Sequence, residues 1–132
     1  MATPALGTIQ LAMASTNEIF SREVIGKRNL AALDDVYTAD ARILPPGSPM
    51  VSGREAIKAF WGGGIEALNA TACVLTSVEV MQAGDDIVEI GSALLTIAPE
   101  GTAAQMEAKY VVYWRQEDGR WKWRVDIWNA NA

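Results

Sequence analysis

Apolar residues recur at spacings of three and four near the start of the chain and later give way to β-branched and aromatic runs. The first pattern, from about Ile9 to Ile25, predicts an amphipathic helix that Gly26 ends. Asn29 can cap a second, short helix whose apolar face reaches Tyr37. The first part of the chain is therefore expected to supply core helices.

A short strand and a third helix follow in the tightly punctuated segment YTADARILPPGSPMVSGREAIKAFW. The strand is expected at Ala41 to Leu44, where a proline pair ends it because proline has no N–H for the sheet. Ser52 and Glu55 match a capping box, which marks the start of a helix. The glycine run at residues 62–64 predicts that this helix loosens or breaks partway.

From Ala70 onward, turn signals divide the chain into four long strands. The turn signals are Gly84-Asp85, Pro99-Glu100-Gly101 and Asp118-Gly119. Helices first and adjacent long strands afterwards predict an α+β fold, with a curved, mostly antiparallel sheet wrapped around three N-terminal helices. The length of 132 residues predicts one domain over residues 1–132.

The Asp118-Gly119 pair predicts a two-residue type I′ turn, which fixes a register for the last hairpin. In that register Trp114 opposes Trp123, and one face is largely apolar. Its members are Trp114, Trp121, Trp123, Val125 and Ile127. The other face is mixed and carries Val111, Tyr113, Arg124, Asp126 and Trp128. The residues alone leave two interpretations of the mixed face about equal, a solvated surface or a site.

The formal net charge is −5, and no run of Lys or Arg is present. This balance argues against nucleic acid and anionic lipid surfaces as partners. No apolar run approaches the roughly 20 residues that a membrane-spanning helix needs. Since the N-terminus also lacks the basic region of a secretory signal, a cytoplasmic protein is expected.

The chain has no histidine and one cysteine, Cys73. The usual zinc sites, histidine-based triads and an intrachain disulfide are therefore excluded. Cys73 lies in a strand-like run, and it is interpreted as a small buried residue because no base is at hand to activate it. We expect neither a metal nor a cofactor.

Two segments of the chain resemble a known family: the segment quoted above and YVVYWRQEDGRWKWRVDIWN. Their Tyr-x-x-Asp-Ala, Gly-Arg-Glu-Ala-Ile and Trp-Arg-x-x-Asp-Gly-x-Trp patterns are similar to the nuclear transport factor 2-like superfamily, in its SnoaL-like and ketosteroid isomerase-like branch. The resemblance covers essentially the whole chain. It implies a cone-shaped α+β barrel, an apolar pocket between sheet and helices, and homodimers through the outer face of the sheet.

The resemblance also makes the mixed face the pocket floor and the tryptophan-rich face a dimer interface. It sets this chain apart from steroid isomerases, because Pro45 stands where their base lies and Val111 stands where their oxyanion-stabilising acid lies. No tyrosine stands in the first helix, where those enzymes carry a donor. Steroid isomerisation is therefore not expected.

In SnoaL-like cyclases an acid/base carboxylate occupies a position similar to Asp126. The resemblance thus implies a cofactor-free isomerase, cyclase or lyase acting on a small, mostly apolar molecule, with Asp126 as the base and Tyr113 as a hydrogen-bond donor. Ligand contacts are expected from Trp61, Val111, Arg124 and Trp128. A non-catalytic ligand-binding or dimerisation module of the same fold is the alternative.

Overall fold

The computed structural model describes residues 5–132, so residues 1–4 of the expected single domain lie outside it. Its helical elements are α1 (Leu6–Ile19), a π-helical segment (Phe20–Gly26), a 3₁₀-helix (Leu30–Asp35) and α2 (Arg54–Leu68). Its strands are β1 (Tyr37–Leu44), β2 (Val51–Ser52), β3 (Ala72–Ala83), β4 (Asp86–Ile97), β5 (Ala104–Glu117) and β6 (Arg120–Ala130). The α+β prediction is confirmed. None of the helices within residues 5–132 combines the length and apolar character needed to span a membrane.

The first predicted helix is confirmed, but its last part is π-helical. α1 continues without a break into the segment Phe20–Gly26, where Phe20, Val24 and Ile25 are buried. Thr16 is fully buried on α1, and its hydroxyl donates to the Trp121 carbonyl at 2.7 Å. This bond and the buried apolar residues fix the helix over the concave face of the sheet.

α2 differs from its prediction at both its start and its glycine run. Gly53, with φ at 89°, is the N-terminal cap, and no side chain caps the helix, so the predicted Ser52 capping box is wrong. The helix also runs unbroken through residues 62–64. Each glycine in the helix interior costs about 1 kcal/mol of stability relative to alanine. Packing offsets this cost, because Ile57 and Ile65 are buried in the core.

One six-stranded sheet runs in the order β2-β1-β6-β5-β4-β3. β1 lies parallel to β6, and the other neighbours are antiparallel. The sheet is curved but does not close, so the cone has two free edges, at β2 and at β3. β1 begins at Tyr37, four residues before its predicted start.

The predicted register of the last hairpin is right near the turn and wrong beyond it. Asp118 and Gly119 have φ values of 55° and 74°, as a type I′ turn requires, and Trp114 pairs with Trp123. A bulge at Arg124 then shifts the pairing by one residue, and Val112 instead of Val111 lies opposite Asp126.

The bulge brings the tryptophans and Asp126 to the same, concave face. Trp114, Trp121 and Trp123 are each at least 93% buried in the core, so their predicted role in a dimer interface is wrong. Asp126 and Trp128 follow them on that face after the extra residue. The faces predicted from strict alternation are therefore mixed by one bulge.

Candidate functional site

A cavity of about 270 Å³ lies between the concave face of the sheet and the helices. Side chains of the π-helical segment and α2 form one wall, and inward-facing strand residues form the other. The lining is almost entirely aromatic and aliphatic, and includes Phe20, Ile25, Phe60, Trp61, Ile65, Leu95, Met106, Val112, Trp123 and Trp128. Such a surface suits a neutral, mostly apolar molecule.

Asp126 is the one carboxyl group among the described residues that line this cavity. It is only 5% exposed, and its Oδ2 accepts a hydrogen bond of 2.6 Å from the Tyr37 hydroxyl. Within the described part of the chain, Tyr37 is the only donor to this carboxyl. The Oδ1 oxygen can therefore accept a hydrogen bond or a proton from a bound molecule.

Tyr37 joins Asp126 to the aromatic wall. Its hydroxyl accepts a bond of 3.1 Å from Nε1 of Trp61 while donating to Asp126. Burial and the nearby Asp126 charge raise the pKa of Tyr37 well above its usual range, so it keeps its proton. Sequence reasoning assigned Tyr37 to a helix face and missed this contact, since no local signal links residues 89 positions apart.

The surroundings of Asp126 raise its pKa to about 7. Burial is the main cause, because a charged carboxylate is poorly solvated among apolar side chains. The Tyr37 hydrogen bond acts in the opposite direction, and the negative charge of Glu89 raises the pKa further. Near neutral pH both protonation states of Asp126 are consequently populated, which suits proton transfer.

Three aromatic side chains that pack on one another form one wall of the cavity. The rings of Trp61 and Trp128 stack with centroids 5.2 Å apart at an interplanar angle of 20°. The Phe60 ring meets both of them edge-on, at 5.5 Å and 5.9 Å. Trp61 and Trp128 thus lie in the lining where they were expected.

Three other expected site residues do not line the cavity, since the bulge in β6 brings Asp126 and Trp128 to the concave face and leaves these three outside it. The Tyr113 hydroxyl donates to Asp86 at 2.6 Å, and Val111 is 40% exposed on the outer face. Arg124 is the extra residue of the bulge and forms an ion pair of 3.3 Å with Asp40. None of the three is among the residues that line this cavity.

Of the two positions compared with steroid isomerases, Pro45 lies in the cavity lining and Val111 does not. Pro45 lines the cavity, so a proline does stand in the site where those enzymes are expected to have a base. Val111 points outward, whereas its neighbour Val112 lies inward beside Asp126. The late-strand position is apolar in either register.

Glu89 is a second buried carboxyl group, which sequence reasoning did not select. It is 1% exposed on β4 and accepts hydrogen bonds from Nε1 of Trp114 at 3.1 Å and from Nδ2 of Asn17 at 3.4 Å. Trp123 donates to the Asn17 carbonyl oxygen at 3.1 Å and so orients that amide. Burial raises the pKa of Glu89. The sequence does carry a signal for a buried Glu89, because this residue follows Ile87 by two positions and so shares its strand face.

Glu89 lines a separate cavity of about 450 Å³ between α1 and β3. Polar side chains at its rim include Gln10, Glu18, Ser21 and Arg22. Cys73 and Leu75 stand in the walls of both cavities. Burial raises the pKa of Cys73 to about 12, so its thiol keeps its proton. Residues 5–132 contain no cluster of three or more side chains suited to hold a metal ion.

Comparisons with known proteins agree with this architecture. A family model described as a SnoaL-like domain matches residues 20–123. The fold is similar to a protein of unknown function from Mycobacterium tuberculosis, with 13% identity over 95% of this chain and 73% of that chain and a TM-score of 0.82. It is also similar to a ketosteroid isomerase-like protein from Erwinia carotovora atroseptica, with 18% identity over 96% of each chain and a TM-score of 0.78.

A third similar structure is the hexachlorocyclohexane dehydrochlorinase LinA-type3 from Novosphingobium barchaimii LL02, with 16% identity over 95% of this chain and 88% of that chain and a TM-score of 0.74. No curated protein matches the chain. At these identities, the likeness to solved structures concerns the fold alone.

Proposed function

Because this chain belongs to the SnoaL-like domain family, we propose that its apolar cavity binds a small, neutral molecule on which Asp126 acts as a proton acceptor and donor. The reaction class is a cofactor-free isomerisation, cyclisation or elimination. One observation carries the proposal: a single buried carboxyl, held by Tyr37, with a pKa of about 7 in an aromatic cavity.

The chemistry follows from the two protonation states of Asp126. Its carboxylate can remove a proton from a carbon next to an electron-withdrawing group, and its neutral form can return the proton elsewhere on the same molecule. Tyr37 steadies the carboxylate through Oδ2, while Trp61 and Trp128 hold the substrate against the site. Tyr113 has no part in this proposal, since its hydroxyl bonds Asp86 outside the cavity.

The cavity limits the ligand in size and polarity. Its 270 Å³ lies just below the roughly 300–1,000 Å³ of pockets that hold drug-sized ligands. No Lys or Arg lines it among the described residues, so a strongly anionic substrate would have no counter-charge there. Compact neutral carbonyl or halogenated compounds are the proposed class.

The test is a screen of such compounds that follows tryptophan fluorescence for binding and chromatography for product. Asp126→Asn should retain binding and lose turnover by about 100-fold or more, the usual scale for a general base. The Asp86→Asn variant changes a carboxyl outside the cavity and serves as the matched control. Full turnover by the Asp126→Asn variant would contradict the proposed role.

A non-catalytic ligand-binding module is the second candidate, and the composition of the cavity favours it. Apart from Asp126, the described lining offers no carboxyl, and the Tyr110 hydroxyl is enclosed in protein without a hydrogen-bond partner. Binding without product over hours, for every compound that quenches fluorescence, would support this candidate over the enzyme.

We also propose that the outer face of the sheet pairs with a second copy of the chain. Cross-strand pairing places Ile90, Val111, Ile127 and Leu44 in one apolar row across four strands. Val111 and Ile127 are 40% and 37% exposed in the isolated chain. Burying such a row against its symmetry mate is a common way to form a dimer.

A cytoplasmic location is proposed as well. It is supported by Cys73, a buried free thiol in a chain without a second cysteine, because stable disulfides belong to oxidising compartments. Fractionation of cells that express the tagged protein would test this location.

A further inference from the structure

Glu89 and Asp126 lie in one row across the concave face of the sheet. Asp126 on β6 pairs with Val112 on β5, and Val112 pairs with Glu89 on β4. Adjacent strands are about 4.8 Å apart, which places the two Cα atoms roughly 10 Å from each other. Both side chains point to the interior, and both are at least 95% buried.

Neutral groups surround both carboxyls. Glu89 accepts hydrogen bonds from Asn17 of α1 and Trp114 of β5. Asp126 is bonded by Tyr37 alone among the described residues. Each charge is therefore stabilised by dipoles and not by an opposite charge.

Nearby charged groups do not neutralise the pair. Glu18 and Arg22, at the rim of the second cavity, are mostly exposed and pair with each other at 3.8 Å. No Lys or Arg shifts the pKa of Asp126, whereas the charge of Glu89 does. The two hydrogen bonds that Glu89 accepts, from Asn17 and Trp114, favour its ionised form over that of Asp126, which accepts one.

We propose that Glu89 is a positioning residue for proton transfer at Asp126: its negative charge in the same row disfavours a charge on Asp126, so that Asp126 gains and loses its proton in the neutral range. Glu89 stays ionised there, and Asp126, which lines the apolar cavity, is the group that exchanges the proton. This inference rests on the proposed function of Asp126.

The two carboxyl groups line different cavities. Asp126 lines the apolar cavity, and Glu89 lines the half-polar one between α1 and β3. A substrate that fills the first cavity would cover Asp126 and leave the surroundings of Glu89 unchanged. Bound substrate would thus strengthen the preference for a proton on Asp126 while Glu89 keeps its charge.

The test follows the carboxyl carbon of Asp126 by NMR in protein labelled with carbon-13 at aspartate carboxyls. The Asp126 signal is identified by its loss in the Asp126→Asn variant. In Glu89→Gln the midpoint of its titration should fall by about one pH unit, the size expected for unit charges roughly 10 Å apart at an effective dielectric constant near 20. Glu18→Gln removes an exposed charge at the cavity rim and should leave the midpoint in place.

A second measurement keeps the test valid even if the Glu89→Gln variant does not fold. With glutamate carboxyls labelled, Glu89 should titrate at a lower pH than Asp126, and Asp126→Asn should leave the Glu89 midpoint in place, because Asp126 is still neutral while Glu89 ionises. An unchanged Asp126 midpoint in Glu89→Gln would overturn the inference, as would an equal shift in Glu18→Gln or a Glu89 midpoint above that of Asp126. A coupled titration combined with unimpaired turnover by Asp126→Asn would sustain the coupling and reject the proposed function instead.

Discussion

Asp126 combines an almost complete burial with a single hydrogen bond, and this makes it the most pH-sensitive residue of the cavity. In the folded chain its pKa is about 7, above the 3.8 of a free aspartate. The native state therefore binds a proton more tightly than the unfolded state does. Its contribution to stability is complete below about pH 4 and is lost as the pH rises through 7.

The resulting prediction concerns the stability of Asp126→Asn, whose side chain does not titrate. Between pH 4 and pH 8, the free energy of unfolding of the unmodified protein should fall relative to the variant by at most about 4 kcal/mol, at about 1.4 kcal/mol per unit of pKa difference. Urea unfolding followed by tryptophan fluorescence measures both proteins. A relative rise over this range would contradict the assignment.

Tyr37 carries the second prediction. Tyr37→Phe removes the only described donor to Asp126, and that bond favours the charged carboxylate. The pKa of Asp126 should therefore rise above about 7, which carbon-13 NMR would detect as a later midpoint. Tyr113→Phe removes a similar bond, to Asp86 outside the cavity, and should leave Asp126 unchanged.

Strand pairing explains why glycine is needed at one position of the sheet. Gly91 on β4 lies opposite Tyr110, whose ring lies across the glycine, so that an added Cβ would overlap the ring. Gly63, in the middle of α2, has open space around its Cα. Packing against Tyr110 therefore requires glycine at position 91, whereas position 63 has room for a side chain. Neither glycine breaks its strand or helix.

Gly91→Ala should lower the free energy of unfolding by roughly 1–3 kcal/mol or more, since Tyr110 must move within a packed core. Gly63→Ala should raise it by about 0.5–1 kcal/mol, the helix preference of alanine over glycine. Denaturant unfolding of both variants provides the comparison. Equal effects of the two substitutions would show that the close approach at Gly91 is unimportant.

Bulges decide which side chains of an element reach the site. The type I′ turn at Asp118 and Gly119 was predictable because Gly and Asp accept positive φ, and the first pairs of the hairpin followed from it. The bulge at Arg124 has no such local signal. One unpaired residue brought Asp126 and Trp128 to the concave face and left Tyr113 on the opposite one.

For the whole molecule, the charge and packing of the outer face lead to a prediction about assembly. Val111→Glu places a charge in the apolar row, and a proposed dimer should then dissociate to monomers at micromolar concentration. Thr76→Glu adds the same charge to an exposed position of β3 outside that row and should leave the dimer intact. Sedimentation of the three proteins decides, and a monomeric unmodified protein would rule out this interface.

The sequence by itself determined the order of the main helices and strands and the turns, because these depend on short-range periodicity and on residues with special backbone preferences, and its resemblance to known patterns indicated the family. It also singled out Asp126, Trp61 and Trp128, all of which line the cavity. The tertiary structure alone decided the outward position of Tyr113 and the contacts of Tyr37 and Glu89. Those contacts join residues 24 and more positions apart through strand register and a bulge, and their energies arise only when the chain is packed.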